Sequence, residues 1–254
     1  MKDTIIVIPT KRPPPVRTLG SYPVPEGYQA LIICGPDVYE FHRQYDYKPE
    51  IQIVLGQHGM GAQSALCYTE AFKADFPYFF RIDDDLTPKT FIHKDGHYPD
   101  LAEVIPLVRE CLDITRTTHA GFANGANRYW MKEGFARTYG LIHGGANIAK
   151  SAADSSPYMD PLLVRGEDIY RTCAHRKESG AVGRVQFIGF DKRQSTITAG
   201  QTSISATQEQ ILASREMILT RFEGMVTANG TREINSGKDT IVNWRMKRSK
   251  WDTR

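Results

Sequence analysis

Near the start of the chain, Thr4–Ile8, Ala30–Cys34 and Ile51–Leu55 are short runs rich in β-branched and aliphatic residues. Apolar runs of this length predict strands buried on both faces. Pro9 is expected to end the first. A fourth run, Tyr78-Phe79-Phe80-Arg81-Ile82, follows Met60–Ala74, whose composition and apolar spacing predict a helix after Gly56, Gly59 and Gly61. Strands separated by helical or irregular crossovers predict an α/β fold with a doubly wound, mostly parallel central sheet. Such sheets take ligands beyond the carboxyl ends of their strands, where Pro9–Arg12 and Asp83–Asp85 would both emerge.

Further along, Asp100 and Glu103 have the spacing of a capping box. Leu101, Val104, Ile105, Val108, Cys111 and Leu112 then form a helical stripe that has to tolerate Pro106. Glycines, asparagines and aromatics crowd Ala120–Gly145, as expected of irregular strands beside a cleft. Gln208–Phe222 places Ile211, Leu212, Ile218, Leu219 and Phe222 on one side of a late helix.

With 254 residues, 41% hydrophobic and 24% charged, the chain is expected to form one domain. Its expected parts are a nucleotide-binding half over 1–90, an acceptor half over 91–205, and a C-terminal helix with a basic tail over 206–254. No apolar stretch is long enough to span a bilayer and no signal-peptide pattern opens the chain, so a cytoplasmic location without membrane contact is expected. Cys34, Cys67, Cys111 and Cys173 are scattered without a C-x-x-C pair and read as buried thiols.

The strongest chemical signal is Asp83-Asp84-Asp85, which follows the fourth apolar run directly. Three adjacent anions repel one another, and a divalent cation would neutralise them. If the backbone stays extended, Asp83 and Asp85 share a face and can converge on one ion while Asp84 points elsewhere. Carboxylate oxygens suit Mg²⁺ or Mn²⁺, ions that commonly bridge protein carboxylates to substrate phosphates. An acidic loop or a helix N-terminus would account for the triplet without metal. Ile6–Arg12 ends in a polar, cationic turn suited to nucleotide contacts, and Gly144–Lys150 begins with small residues that permit close backbone approach. Arg165–Arg171 puts Glu167 and Asp168 at a helix start, either as plain capping or with an acid kept ionised for use as a base. His58 and His143 fall in cleft loops and read first as hydrogen-bonding or surface residues.

Taken in order, the strand ending in Pro9-Thr10, the glycine-led helix, the Asp83–Asp85 strand end, Gly144-Gly145-Ala146-Asn147 and Gly166-Glu167-Asp168 resemble the GT-A glycosyltransferases. The resemblance spans Thr4–His175. It implies a Rossmann-like domain using a nucleotide sugar and Mn²⁺ or Mg²⁺, with Asp83 and Asp85 as the D-x-D metal ligands. Pro9, Thr10 and Arg12 would lie near the nucleotide, with Lys11 and Arg81 adding positive charge. Gly145, Ala146 and Asn147 would line the cleft, and Asp84 and Glu167 join the substrate-binding candidates. Asp168 would be the general base of an inverting transfer. Two features depart from the pattern: Ala62-Gln63-Ser64 replaces an Ala-Arg-Asn-like helix start, leaving Gln63 a neutral hydrogen-bonding contact, and only Asp191 offers itself as a third metal ligand.

The segment from Trp244 to Arg254 carries Arg245, Lys247, Arg248, Lys250 and Arg254 against Asp252, with Trp244 and Trp251 interleaved. Charge for phosphates and rings for stacking point to DNA, or else to a solvated tail. Compact size and the missing anchor are similar to bacteriophage enzymes that glycosylate hydroxymethylated pyrimidines in DNA, the TET-associated-like group. The alternatives are a glycan, protein or small-molecule acceptor, or a non-catalytic nucleic-acid-binding protein.

Overall fold

The computed structural model describes residues 2–125, 127–191, 206–234, 239–248 and 250, with side chains left undescribed over 229–234 and 239–243. Its centre is a 9-stranded sheet. The first half is built from β1 (Thr4–Thr10), β2 (Ala30–Cys34), β3 (Ile51–Leu55) and β4 (Tyr78–Ile82), in the order β3-β2-β1-β4 and all parallel. Beyond β4 come β8 (Ala146–Lys150), β6 (His119–Asn124), β9 (Val182–Phe190) and β5 (Phe91–His93), with β7 (Phe135–Thr138) also pairing to β9. β6 and β9 run in the direction of the first four strands, and β8, β5 and β7 run against them. The expected Rossmann-like α/β architecture is therefore observed, with its parallel part at the amino-terminal end.

Alternation along β1 divides the core into two layers. Ile6 and Ile8 pack with Ile32, Phe80, Val104 and Val108 on one face. Ile5 and Val7 pack with Leu31, Phe79, Tyr68 and Ile169 on the other. Helix α4 (Leu101–Thr115) covers the first face, capped by Asp100, whose carboxylate accepts from the Glu103 backbone N–H at 3.0 Å. Helices α3 (Met60–Lys73), α5 (Glu167–Ser179) and α6 (Gln208–Arg221) supply Ala65, Tyr170 and Ile218 to the second.

Two expectations change. β1 continues through Pro9 to Thr10, because its register with β4 stops at Val7↔Arg81 and the proline's missing N–H falls beyond that ladder. The segment opening at Trp244 is not simply a tail: residues up to Met246 belong to β11 (Asp239–Met246), antiparallel to β10 (Val226–Ile234). Trp244 and Met246 pack against the second core layer, so Trp244 is engaged inside the protein, while Trp251, Asp252 and Arg254 lie outside the described residues.

Candidate active site

Because β1 and β4 are parallel neighbours, Thr10–Arg12 and Asp83–Asp85 leave the sheet together. Extended backbone ends at Ile82, and Asp84–Asp85 form a turn, so alternation does not govern where the carboxylates point. Arg12 spans two of them, with Nη1 at 3.2 Å from Asp84 Oδ1 and Nη2 at 3.0 Å from Asp85 Oδ2. The Thr10 hydroxyl also donates to Asp84. Burial pushes the Asp84 carboxyl up to about 6, with Thr10 and Arg12 opposing the shift and Asp83 and Asp85 adding to it. Thr18, on the short helix α1 (Arg17–Ser21), holds the turn from below: its hydroxyl donates to the Asp83 carbonyl at 2.5 Å and accepts from Leu86 N at 2.9 Å. His42 fixes the other wall. Since a carbonyl can only accept, its Nε2 donates to the Arg12 carbonyl at 2.8 Å, leaving Nδ1 to accept from the Tyr47 hydroxyl at 2.8 Å. The Lys11–Arg17 loop and Asp84 line a cleft of about 710 Å³, whose cations Lys11, Arg12 and Arg17 suit an anionic ligand.

Arg81 organises the far side of the turn. Only 5% exposed, it reaches Asp83 Oδ1 with Nη2 at 3.2 Å and donates from Nη1 to the Gly144 carbonyl. Burial opposes its charge, but Asp83, Cys67, Glu167 and Asp168 outweigh that effect and hold the guanidinium above its ordinary pKa. Arg81, expected to add positive charge near the phosphates, thus sits inside the wall, where it positions Asp83 and the Gly144 carbonyl.

The glycines work in the same way. A Cβ at Gly144 would fall 3.0 Å from Glu167 Oε1, and one at Gly145 would fall 2.6 Å from the Phe190 ring and 3.2 Å from Asp83 Oδ2. The space at these two residues is thus used by the protein's own side chains. Asp83 N also donates to the Gly145 carbonyl at 2.8 Å. Asn147, expected to line the cleft, is fully buried: Nδ2 donates to the His143 and Gly144 carbonyls at 3.2 and 3.1 Å, and Oδ1 accepts from Arg171 at 2.9 Å. It shapes the loop from behind. Ala146 is buried beside it, and Pro9 is half-buried within β1.

Glu167 and Asp168 open α5, both half-buried, and Asp168 Cβ lies 3.4 Å from where a Gly144 Cβ would be. The preceding Gly166 has φ +82°, and a Cβ there would meet Ile218 at 2.8 Å and Trp244 at 3.6 Å. Glycine alone satisfies both the backbone and the packing. Asp83, Gly144–Gly145 and Glu167–Asp168 are therefore brought together, far apart in sequence but joined through Arg81.

Gln63 lies at the same carboxyl edge of the sheet, against Gly35, whose N–H bonds to the Thr10 carbonyl at 3.0 Å, and against Gly56; among the described residues its buried Oε1 has no hydrogen-bond partner. Asp191 directly follows β9, its N–H bonded to the Thr90 carbonyl at 2.8 Å, and among the described residues it does not form a three-donor cluster with the aspartate triplet. His58 is an exposed neighbour of Asp37, whereas His143 lies near Phe190, ring centroids 6.3 Å apart. Sequence reasoning passed over Thr18, His42 and Arg171. Arg171 had a signal, being a charged residue directly after Ile169 and Tyr170, and it is 1% exposed.

Carboxylate oxygen is the donor type of a hard divalent cation, and among the described residues the triplet does not bring three donor atoms within 4.8 Å of one another. Asp83, Asp84 and Asp85 offer carboxylate oxygens only, they already draw two guanidinium groups, and their crowding contributes to the upward shift at Asp84.

No protein-family profile matches the chain. No curated protein matches it either. Among solved structures, it is similar to a protein from Desulfovibrio desulfuricans assigned as a nucleotide-diphospho-sugar transferase, at 12% identity and TM-score 0.43 over 87% of this chain and 99% of that one. It is similar to a mannose-1-phosphate geranyltransferase from Thermus thermophilus, at 12% identity and TM-score 0.40 over 75% of each chain. A CMP:2-keto-3-deoxy-manno-octonic acid synthetase complexed with CTP gives 10% identity and TM-score 0.42 over 71% of this chain and 88% of that one. These likenesses are loose, and what the site can do follows from its own side chains.

Proposed function

We propose that the chain is a metal-dependent, inverting glycosyltransferase that moves a sugar from a nucleotide sugar to a hydroxyl acceptor. The observation that carries this reading is the Arg81 junction, which sets Asp83 beside Gly144 and near Glu167 and Asp168 while Arg12 holds Asp84 and Asp85 at the mouth of a cation-lined cleft. Thr10, Lys11 and Arg12 would take the diphosphate, with the guanidinium giving charge-assisted hydrogen bonds. Asp83 and Asp85 would hold Mn²⁺ or Mg²⁺, which when bound stabilises negative charge on the leaving nucleoside diphosphate. Asp168, in the first turn of α5, removes the acceptor hydroxyl's proton. Direct attack by that hydroxyl on the face opposite the leaving group inverts the sugar carbon. Arg81 keeps Asp83 and the Gly144 carbonyl in register for this step.

A nucleotidyltransferase is less well served, because the loop after β1 carries Pro13, Pro14 and Pro15 and no glycine. Prolines remove the backbone N–H groups with which a triphosphate cradle is made.

For the acceptor, the exposed Arg245, Lys247, Arg248 and Lys250 begin where Trp244 packs beside Gly166, next to Asp168. These cations favour a polyanion, and a hydroxymethylated pyrimidine in phage DNA combines that charge with a hydroxyl. The base would leave the stack to reach Asp168. The test is mass analysis of hydroxymethylated and unmodified DNA after incubation with a panel of nucleotide sugars and Mn²⁺. A hexose-sized gain on hydroxymethylated DNA alone is expected, and Asp168→Asn should lower its rate about 10²- to 10⁴-fold with nucleotide binding intact. Pyrophosphate release from a nucleoside triphosphate and a sugar phosphate, with no transfer, would replace this reading by nucleotidyl transfer.

A further inference from the structure

Away from the aspartate turn, the edge strand β5 ends at His93 and turns back through Lys94-Asp95-Gly96 to His97. The hairpin is closed by His93 N to the His97 carbonyl and Gly96 N to the His93 carbonyl, both at 2.9 Å. Gly96 has φ +106°, and the Arg128 guanidinium covers it. Within this turn, His93 Nδ1 lies 2.8 Å and His97 Nδ1 2.7 Å from one oxygen, Asp95 Oδ1. The three donor atoms lie within 4.8 Å of one another, and the two rings stack with centroids 4.6 Å apart.

The far side of His97 is also fixed. Its Nε2 is 2.9 Å from Glu103 Oε1, and Glu103 is held in the first turn of α4 by the Asp100 cap. Phe187 braces His93 edge-on at 5.5 Å. A histidine whose second nitrogen is bound to a carboxylate is the usual support of a metal-ligating imidazole.

We propose that His93, Asp95 and His97 form a binding site for a borderline transition-metal ion, Zn²⁺ foremost, with Glu103 orienting His97. Two imidazole nitrogens and one carboxylate oxygen select Zn²⁺, Co²⁺ or Ni²⁺ over Mg²⁺, whose preferred ligands are all oxygen. Three protein ligands leave a fourth tetrahedral position for water or another ligand. Asp95 and Glu103 supply two negative charges against the ion and the nearby Arg128. The ion would tie the β5 hairpin to the start of α4.

The experiment is titration of the tag-free, metal-stripped full chain with Co²⁺, followed by visible absorption and calorimetry and then by Zn²⁺ displacement. One equivalent is expected to give ligand-field bands that Zn²⁺ removes and excess Mg²⁺ does not. His97→Ala and His93→Ala should abolish the bands while keeping the metal-free thermal midpoint, Glu103→Gln should weaken affinity about 10- to 100-fold, and Asp85→Asn should leave it unchanged. Absence of the bands, or bands undiminished in His97→Ala, would overturn the site; loss in Asp85→Asn alone would reassign the ion to the aspartate turn.

Discussion

The two sides of the aspartate turn are built in opposite ways. On the open side, Lys11, Arg12 and Arg17 border a wide cleft, and Arg12 shares itself between two carboxylates. On the sealed side, Arg81, Asn147 and Arg171 are all at most 5% exposed and are held by named partners. Charges near water can exchange one partner for another at little cost, whereas buried charges lose heavily when one partner is removed. The difference assigns binding to the open side and alignment to the sealed one.

Removing the buried guanidinium should break that division most severely. Arg81→Met leaves Asp83 and the Gly144 carbonyl without it, and is expected to cost about 3 kcal/mol in urea unfolding together with nearly all turnover. Arg81→Lys should recover part of the stability and little of the activity, since a single ammonium cannot reproduce a two-pronged contact. Full activity in Arg81→Met would show that alignment does not pass through this residue.

A second test titrates the buried histidines at the opposite end of β4, where His119 stacks on His175. Burial, reinforced by His175 and Arg171, depresses His119 well below its ordinary 6.5, against the hydrogen bond to the Ile148 carbonyl. The folded state therefore binds this proton less tightly than the unfolded one. The histidine's contribution is fully present above pH 6.5 and is lost as pH falls below it, by about 1.4 kcal/mol per pH unit. Urea unfolding in chelator between pH 7 and 5 should show this slope, and His119→Gln, which keeps a donor but does not titrate, should reduce it. An equal slope in both proteins would place the acid sensitivity elsewhere.

The smallest effect is expected on the open side. Arg12→Ala should change stability by less than about 1 kcal/mol while weakening nucleoside diphosphate binding about tenfold. A large loss of stability would mean that Arg12 belongs with the sealed set.

The sequence made the parallel half of the sheet legible because its strands are short apolar blocks whose limits coincide with composition: Ala30–Cys34 and Ile51–Leu55 were read at their observed bounds. It was less informative wherever a side chain depends on distant chain. Thr18 meets Asp83 across 65 positions and His42 meets Arg12 across 30, and no local pattern encodes either contact. Arg81 was visible as a positive charge at the strand end. A cation inside an apolar strand requires a buried partner, which is a sharper inference than a phosphate contact. The aspartates were found, but alternation along an extended strand does not survive the turn at Asp84–Asp85. β11 also left a trace in the alternation of Thr240, Val242, Trp244 and Met246, outweighed by the basic residues among and after them.

The most direct test of the central claim is the affinity of the chain for a panel of nucleoside diphosphates, measured by calorimetry with Mn²⁺ and with excess chelator, in the wild type and in Asp85→Asn. One nucleotide should bind at least about tenfold more tightly with Mn²⁺, and Asp85→Asn should lose that gain while keeping the weaker, metal-free binding. Equal affinity in Mn²⁺ and chelator, or a gain that persists in Asp85→Asn, would contradict a cation held between these aspartates and the diphosphate.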